Sequence, residues 1–417
     1  MNIKSGPAEK PALFLKSLTV LGRWILLSAL TGGLCGLIGT AFHKAVDLVT
    51  EYRLTHSWVL WTLPLAGLLA VEIYRLLHTE GQNTNDVIRA SRGEGEVSFR
   101  LLPSIFLASV LTHFAGGSAG REGAALQMGG SIGCQIGRLV KLDREDLRIA
   151  VMAGMAAFFT ALFGTPLAAT VFAIGLASVG LYYHAAFLPC FLAALSAWGV
   201  SLYLGVEPTR FAVAVPELTP AMLGRTGILA VLCALLSVFF CETIHRTEHG
   251  MAKLFPAPLI RAAAGGLLVL LLTRVTGTQD YNGAGMNVIR RAIEEGQTVP
   301  EAFLWKLIFT AVTLAAGFKG GEVVPSFFVG AAFGCLAGPI LGIPAGFAAA
   351  VGMISVFCGA TNCPMASIVL AAELFGAEGV LYYALACGLS YMFSGYSGLY
   401  AEQKILYDKF RIQSRQL

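Results

Sequence analysis

The sequence predicts an all-α integral membrane protein built from two related halves, and three observations predict it. The first is apolarity: of 417 residues, 56% are hydrophobic and only 13% charged, with a mean hydropathy of +0.70. A soluble globular domain carries about 25% charged residues. The second is that apolar residues come in runs approaching the ~20 that a helix needs to cross a bilayer. The third is that one half of the chain repeats the other. Forty-eight glycines, with no alternating ten-residue strands, favour a helical bundle over a β-barrel.

Residues 1–17 read as a cytoplasmic N-terminal segment, polar at first, with Lys4, Lys10 and Lys16 ahead of the first span. No short apolar core leads to a small-residue cleavage site, so no cleavable leader is expected. Apolar runs follow at 18–40, 57–77, 101–118, 148–176, 182–205, 226–241, 258–273, 302–317, 323–357 and 366–394. Those that fall short of a full span, or that glycine and proline interrupt, predict tilted or half-length helices. The mixed-charge stretches 89–100 and 138–148 read as solvated connectors, without the aromatic interleaving of a nucleic-acid surface. Lys404, Lys409, Arg411 and Arg415 crowd the end of the chain. By the positive-inside rule both termini are then cytoplasmic, in an inner (cytoplasmic) membrane. The net charge of +4 reports orientation, and no nucleic-acid partner is expected. The nine cysteines form no CxxC pair and read as small buried hydrophobes; no metal and no cofactor are expected.

Residues 81–137, shifted by 201, match 282–338 without gaps at 13 of 57 positions, where composition alone gives roughly five. Gly116, Gly120, Gly129, Gly133, Cys134 and Gly137 meet Gly317, Gly321, Gly330, Gly334, Cys335 and Gly338. With a slightly different shift, TPLAATVFA at 165–173 resembles CPMASIVLA at 363–371. The weakly apolar connector at 206–225 marks the join. The expected division is a first membrane repeat over 18–210, a second over 211–405 and a tail over 406–417.

Duplicated membrane halves with glycine-interrupted segments at matching positions are the pattern of transporters, whose sites lie between the repeats near the bilayer midplane. GGSAGREGAALQMGG at 116–130 and GFKGGEVVPSFFVGAAFG at 317–334 are such segments. Each has a glycine run, then charge, then a fresh helix, whose free N–H groups and positive dipole end suit an anion. Glu122 has two readings. A carboxylate at a helix N-terminus complements the dipole, and that alone can account for it. Alternatively it occupies the anion site, competes with the transported anion and leaves on protonation. Intramembrane acids favour the second.

GREGA at 120–124, GGEVVP at 320–325, the turns at Pro166 and Pro364, and the tyrosine of SGLYAEQK at 397–404 together resemble the CLC family. The resemblance spans about 20–405. It implies two inverted-topology repeats, a homodimer with one pore per subunit, and anion conduction or anion/proton antiport rather than enzymatic catalysis. It also implies roles by position. Glu122 stands for the gating glutamate, Tyr400 for the inner-gate tyrosine, and Val323 and Val324 for the backbone amides that reach the anion, with Gly120 and Gly123 on the facing loop. The family's cytoplasmic CBS domains are not expected.

The departures narrow the branch. Where the family places a GSGIP-type segment, this chain has GQNTNDVI at 81–88; Ala124 replaces the proline of GREGP. Leu176 stands where chloride/proton antiporters keep an internal acid, while Lys319 and Glu322 add charge to the second loop. This resembles the fluoride/proton branch, in which methionine or asparagine replaces the selectivity serine, and Asn83 fits. An asparagine amide offers two N–H donors where serine offers one, which suits a tightly hydrated anion. Thr84 and Asn85 are near enough to share the role. The resemblance thus implies a proton-coupled fluoride exporter, with Glu122 and Glu322 coupling protons and Arg121 and Lys319 as loop counter-ions. Three bland alternatives stay open: Asn83 as a turn residue, Tyr400 as a membrane-interface anchor, and Lys319 with Glu322 as a structural ion pair.

The runner-up is a chloride/proton antiporter or chloride channel of the same fold. A different class is raised by HRTEHG at 245–250, in which His245, Glu248 and His249 match the H-x-x-E-H of an intramembrane zinc peptidase. That reading leaves the duplicated glycine loops unexplained.

Overall fold

A computed structural model describes residues 10–406 and 408–409, with side chains described from residue 14 onward except at Lys16. Lys4, Arg411, Arg415 and the side chains of Lys10 and Lys16 lie outside the described residues. Sixteen α-helices are present among those described, eight in each half. The first half comprises α1 (Lys10–Thr55), α2 (Leu63–Leu76), α3 (Thr84–Ser91), α4 (Leu101–Ala115), α5 (Glu122–Leu139), α6 (Arg144–Phe163), α7 (Pro166–Leu176) and α8 (Phe187–Tyr203). The second comprises α9 (Pro220–Leu254), α10 (Pro258–Thr276), α11 (Met286–Arg290), α12 (Ala302–Ala315), α13 (Val323–Ile340), α14 (Ala345–Thr361), α15 (Pro364–Phe375) and α16 (Val380–Phe393). Seven helical segments are long and apolar enough to cross a membrane, and six further apolar helices are shorter.

Several breaks fall where apolarity alone gives no sign of them. The run 148–176 holds two helices, because Gly164 takes the left-handed conformation (φ +68°) and Pro166 opens α7. In 323–357 the break is Gly342 (φ +69°) followed by Pro344, and in 366–394 it is Gly376 (φ +89°). Conversely α1 starts at Lys10, inside the expected N-terminal segment, and runs 46 residues to Thr55, well past residue 40. At 1.5 Å per residue it is about 69 Å long, more than twice the hydrocarbon thickness, so it tilts or projects. An extended connector leads to α9, whose N-cap Thr219 accepts from the Met222 amide at 3.2 Å.

The halves are related by a two-fold operation. Gly120 and Gly321, equivalent under the shift of 201, pair with each other as an antiparallel bridge: each amide donates to the other's carbonyl, at 2.7 and 2.8 Å. An antiparallel pair exchanging both bonds is itself two-fold symmetric, so the axis relating the repeats passes through it. The neighbouring bonds obey the same operation. Ser118 N donates to Thr313 Oγ1 at 3.0 Å, and Lys319 N donates to Thr112 Oγ1 at 3.2 Å. The expected inverted repeats are thereby present.

Around this axis the helices touch backbone to backbone. A Cβ on Gly129 would sit 2.2 Å from Gly154 O, and one on Gly330 would sit 2.3 Å from Gly352 O. These repeat-related glycines let α5 lie on α6 and α13 on α14 with nothing between, the small-residue packing that membrane helices use. The four inner helices are almost wholly buried, and their assembly brings the N-termini of α5 and α13 face to face at the centre.

Candidate anion site

Glu122 is the first residue of α5 and is completely buried. Its Oε2 accepts the amide of Val324, the second residue of α13, at 3.2 Å. The Glu122 carboxylate of one repeat therefore rests on the helix start of the other, the place that the resemblance gives to the anion. Its Oε1 has no hydrogen-bond partner among the described residues. The glycines on either side make room for this pose. A Cβ on Gly120 would lie 2.1 Å from Glu122 Oε2, and one on Gly123 would lie 3.0 Å from Gly320 O.

The start of α3 meets the same centre. Thr84 Oγ1 accepts from Gln127 Nε2 of α5 at 3.1 Å, and it lies 3.5 Å from where a Cβ on Gly123 would be. Asn83 is the N-cap of α3, exposed, its Oδ1 accepting the Asn85 amide at 2.8 Å within a capping box with Asp86. That cap leaves the two Nδ2 protons as the side chain's remaining donors. Asn85 Oδ1 instead accepts the amide of Glu402, just beyond Tyr400, at 3.2 Å. Tyr400 is buried, and its hydroxyl has no partner among the described residues.

The two counter-ions are engaged elsewhere. Arg121 pairs with Asp47 of α1 at 3.1 Å, and Asp47 also meets His43 at 2.9 Å. Lys319 places its ammonium 4.2 Å from the centre of the Tyr74 ring. No ion pair joins Lys319 to Glu322 among the described residues, so the structural-pair alternative is not realised. The nearby charge that acts on both is Glu248 of α9.

Two cations escaped the sequence reading. Arg53 (2% exposed) ends α1, and Lys306 (0%) sits in α12. Arg53 donates to His113 O at 3.1 Å; Lys306 Nζ donates to Tyr281 O at 3.2 Å and Gly283 O at 2.6 Å. Both hold the main chain beside the Gly116–Gly120 loop, and the charge of Lys306 reaches Glu122. A lone lysine in the apolar run EAFLWKLIFTAV was the signal that could have found it, since intramembrane charge marks function by default.

The connectors are docked rather than simply solvated. Arg92, 6% exposed, pairs with Glu94 at 2.9 Å and Glu402 at 3.2 Å, and Lys404 pairs with Glu94 at 2.7 Å. Residues after Tyr400 form a two-residue parallel ladder, Ser178 with Lys404 and Val179 with Ile405. Gln403 Nε2 donates to Leu176 O at 2.9 Å and Thr361 O at 2.8 Å. Leu176, fully buried, thus anchors the segment that follows Tyr400. His245 and Glu242 line a cavity of about 430 Å³ beside Tyr400, while His249 is exposed. No three His, Cys, Asp or Glu side chains converge as a metal-binding group among the described residues, so the peptidase motif does not assemble.

The chain is similar to known proteins over most of its length. A chloride/fluoride channel protein of Pseudomonas syringae pv. tomato is 35% identical over 405 residues, covering 94% of this chain and 88% of its own. An H(+)/Cl(-) exchange transporter of Vibrio cholerae is 27% identical over 387 residues, covering 84% and 81%. The crystal structure of a CLC-type fluoride/proton antiporter superposes with a TM-score of 0.88 at 31% identity, over 92% of this chain and 98% of that one. A slow cyanobacterial Cl−/H+ antiporter shares the fold, at 0.77 and 20% identity. With the voltage gated chloride channel family model matching residues 66–395, the chain belongs to that family, the CLC anion channels and transporters.

Proposed function

We propose that this chain is a fluoride/proton antiporter that exports fluoride across the cytoplasmic membrane as a homodimer, driven by inward protons. The observation that carries the proposal is the bond from the Val324 amide to Glu122 Oε2. A carboxylate resting there is a resident anion on an anion site. Protonation turns a charge-assisted bond into a neutral one of about half the strength, so the side chain yields the amides of Val323 and Val324 to fluoride. One group then carries the proton and opens the site.

Selectivity follows from donors. Fluoride gives up strong hydration, which only close N–H and O–H groups replace. The α3 start offers Asn83 Nδ2 and Thr84, the helix starts offer amides, and Tyr400 offers its hydroxyl. Arg53 and Lys306, whose hydrogen bonds among the described residues go to carbonyls and not to carboxylates, set two basic groups beside the site, which favours an anion in a low-dielectric interior. Arg121 and Lys319 keep the loops in place through Asp47 and Tyr74. Leu176 in place of an acid, together with Glu322, favours this reading over chloride/proton antiport.

The test uses purified protein in liposomes loaded with fluoride or with chloride, with ion-selective electrodes and external pH recorded together. Rapid fluoride efflux with proton uptake and little chloride efflux is the expected result. Chloride efflux at a comparable rate overturns the fluoride assignment.

A further inference from the structure

The HRTEHG motif assembles no metal site, yet it does not face away from the transport machinery. Cys241, His245 and Glu248 are spaced i, i+4, i+7 along α9 and so share one face, with Glu242 one turn from His245. The cavity of about 430 Å³ is lined by Cys241, Glu242 and His245 on one side and by Tyr400 and Gln403 on the other. His245 Nε2 lies 3.4 Å from Leu399 O, the carbonyl that precedes Tyr400. Further along the same face, Glu248 acts electrostatically on Lys319 and Glu322, and Glu322 acts in turn on Tyr400 and Cys241. Glu322 and Glu122 also lie within each other's field.

These groups run from the surface to the buried gate: Glu248 exposed, Glu242 and His245 half-buried at the cavity, then Glu322 half-buried at the start of α13, then Glu122 fully buried. The charged and titratable groups facing it are Arg246, paired with Glu242 at 3.2 Å, Lys319 beside Glu248 with Arg261 acting on Lys319 in turn, and Tyr400 and Cys241 beside Glu322.

We infer that the α9 face bearing Glu242, His245 and Glu248 is the proton arm of the antiporter, connecting Glu322 to the water of the cavity beside Tyr400. The inference rests on the proposed antiport and adds the path its protons take. A proton released by Glu122 passes to Glu322, then to Glu248 and His245, and leaves to water. Each step is a proton transfer between a carboxyl or imidazole and its neighbour, with no other reactant. Anions pass by Tyr400, so protons and fluoride share the gate but divide on the side of the C-terminal segment.

The experiment compares His245→Gln/Glu248→Gln with unmodified protein in fluoride-loaded liposomes, both alone and combined with Glu122→Gln. In the native background, coupled fluoride efflux and proton uptake should fall at least about tenfold together. In the Glu122→Gln background, where fluoride moves without protons, efflux should stay within about twofold. Glu248→Asp should restore part of the coupled rate. An unchanged coupled rate in the double variant overturns the inference, and so does an equal loss in both backgrounds, which marks a structural or anion-path role. Absence of proton uptake by the unmodified protein instead refutes the antiport reading itself.

Discussion

Gly120→Ala separates the gate from the fold. Its Cβ would lie 2.1 Å from Glu122 Oε2 and 3.1 Å from Pro325 Cδ. The first contact demands about 1 Å or more of retreat, and the atom concerned is the free end of a flexible side chain, so the backbone can stay. The bond to the Val324 amide, already 3.2 Å long, then opens beyond hydrogen-bond range. A hydrogen bond to a charged group is worth about 1.5–3 kcal/mol, so occupancy of the site by the carboxylate should drop roughly 10- to 150-fold. Fluoride binding at neutral and alkaline pH should tighten, its pH dependence should flatten, and proton uptake per fluoride should fall. Titration calorimetry with fluoride between pH 6 and 8 reads the first two, and paired electrodes on liposomes read the third. A melting temperature near that of unmodified protein confirms folding. A folded variant with unaltered pH dependence and coupling would refute competition between Glu122 and the anion.

Glu122→Gln keeps the shape of the side chain and removes its proton chemistry, so liposomes should show fluoride efflux with no proton uptake; intact coupling contradicts the gate. Asn83→Ser keeps an N-cap of similar strength but loses the two amide donors, so the fluoride-to-chloride efflux ratio should fall about tenfold or more. An unchanged ratio returns Asn83 to a purely capping role. Gly129→Ala places a methyl 2.2 Å from the main-chain oxygen of Gly154, which no side chain can relieve. It should destabilise by about 1–3 kcal/mol or more, visible as a lower melting temperature in detergent. Glu94 is exposed, and its hydrogen bonds from Arg92 and Lys404 hold its carboxyl down at about 2, from an ordinary value of 4.5. Its folded value being the lower, Glu94 supports docking of residues 402–405 fully above about pH 4.5 and loses that role as pH falls toward 2. Hydrogen exchange of these amides should show that loss, and Glu94→Gln should show faster exchange already at neutral pH.

Composition and periodicity determined much by themselves. Apolar runs gave the membrane helices, and the shift of 201 paired α5 with α13 residue for residue, since both helices begin just after a glycine-flanked charge. The lone acid in GREGA singled out Glu122, because ionised groups in hydrocarbon need a reason to be there, and the fold buries it against the start of α13. The sequence also put Val323 and Val324 at a helix start, which a glycine run followed by a fresh apolar segment makes legible.

What composition could not convey was partnership across the two-fold axis. Thr112 and Thr313 look like interchangeable small helix residues until each is seen holding a loop amide of the other repeat. Arg121 and Glu122 are adjacent in sequence, yet one turns to Asp47 and the other to Val324. Lys319 and Glu322 invite pairing by spacing and remain apart. Arg92, inside a stretch that reads as solvated, is nearly buried against residues more than three hundred positions later. Local sequence sets which segments become helix, through propensity and burial. Which charge meets which is decided only when the inverted halves dock, because their partners are brought together by the axis and not by the chain.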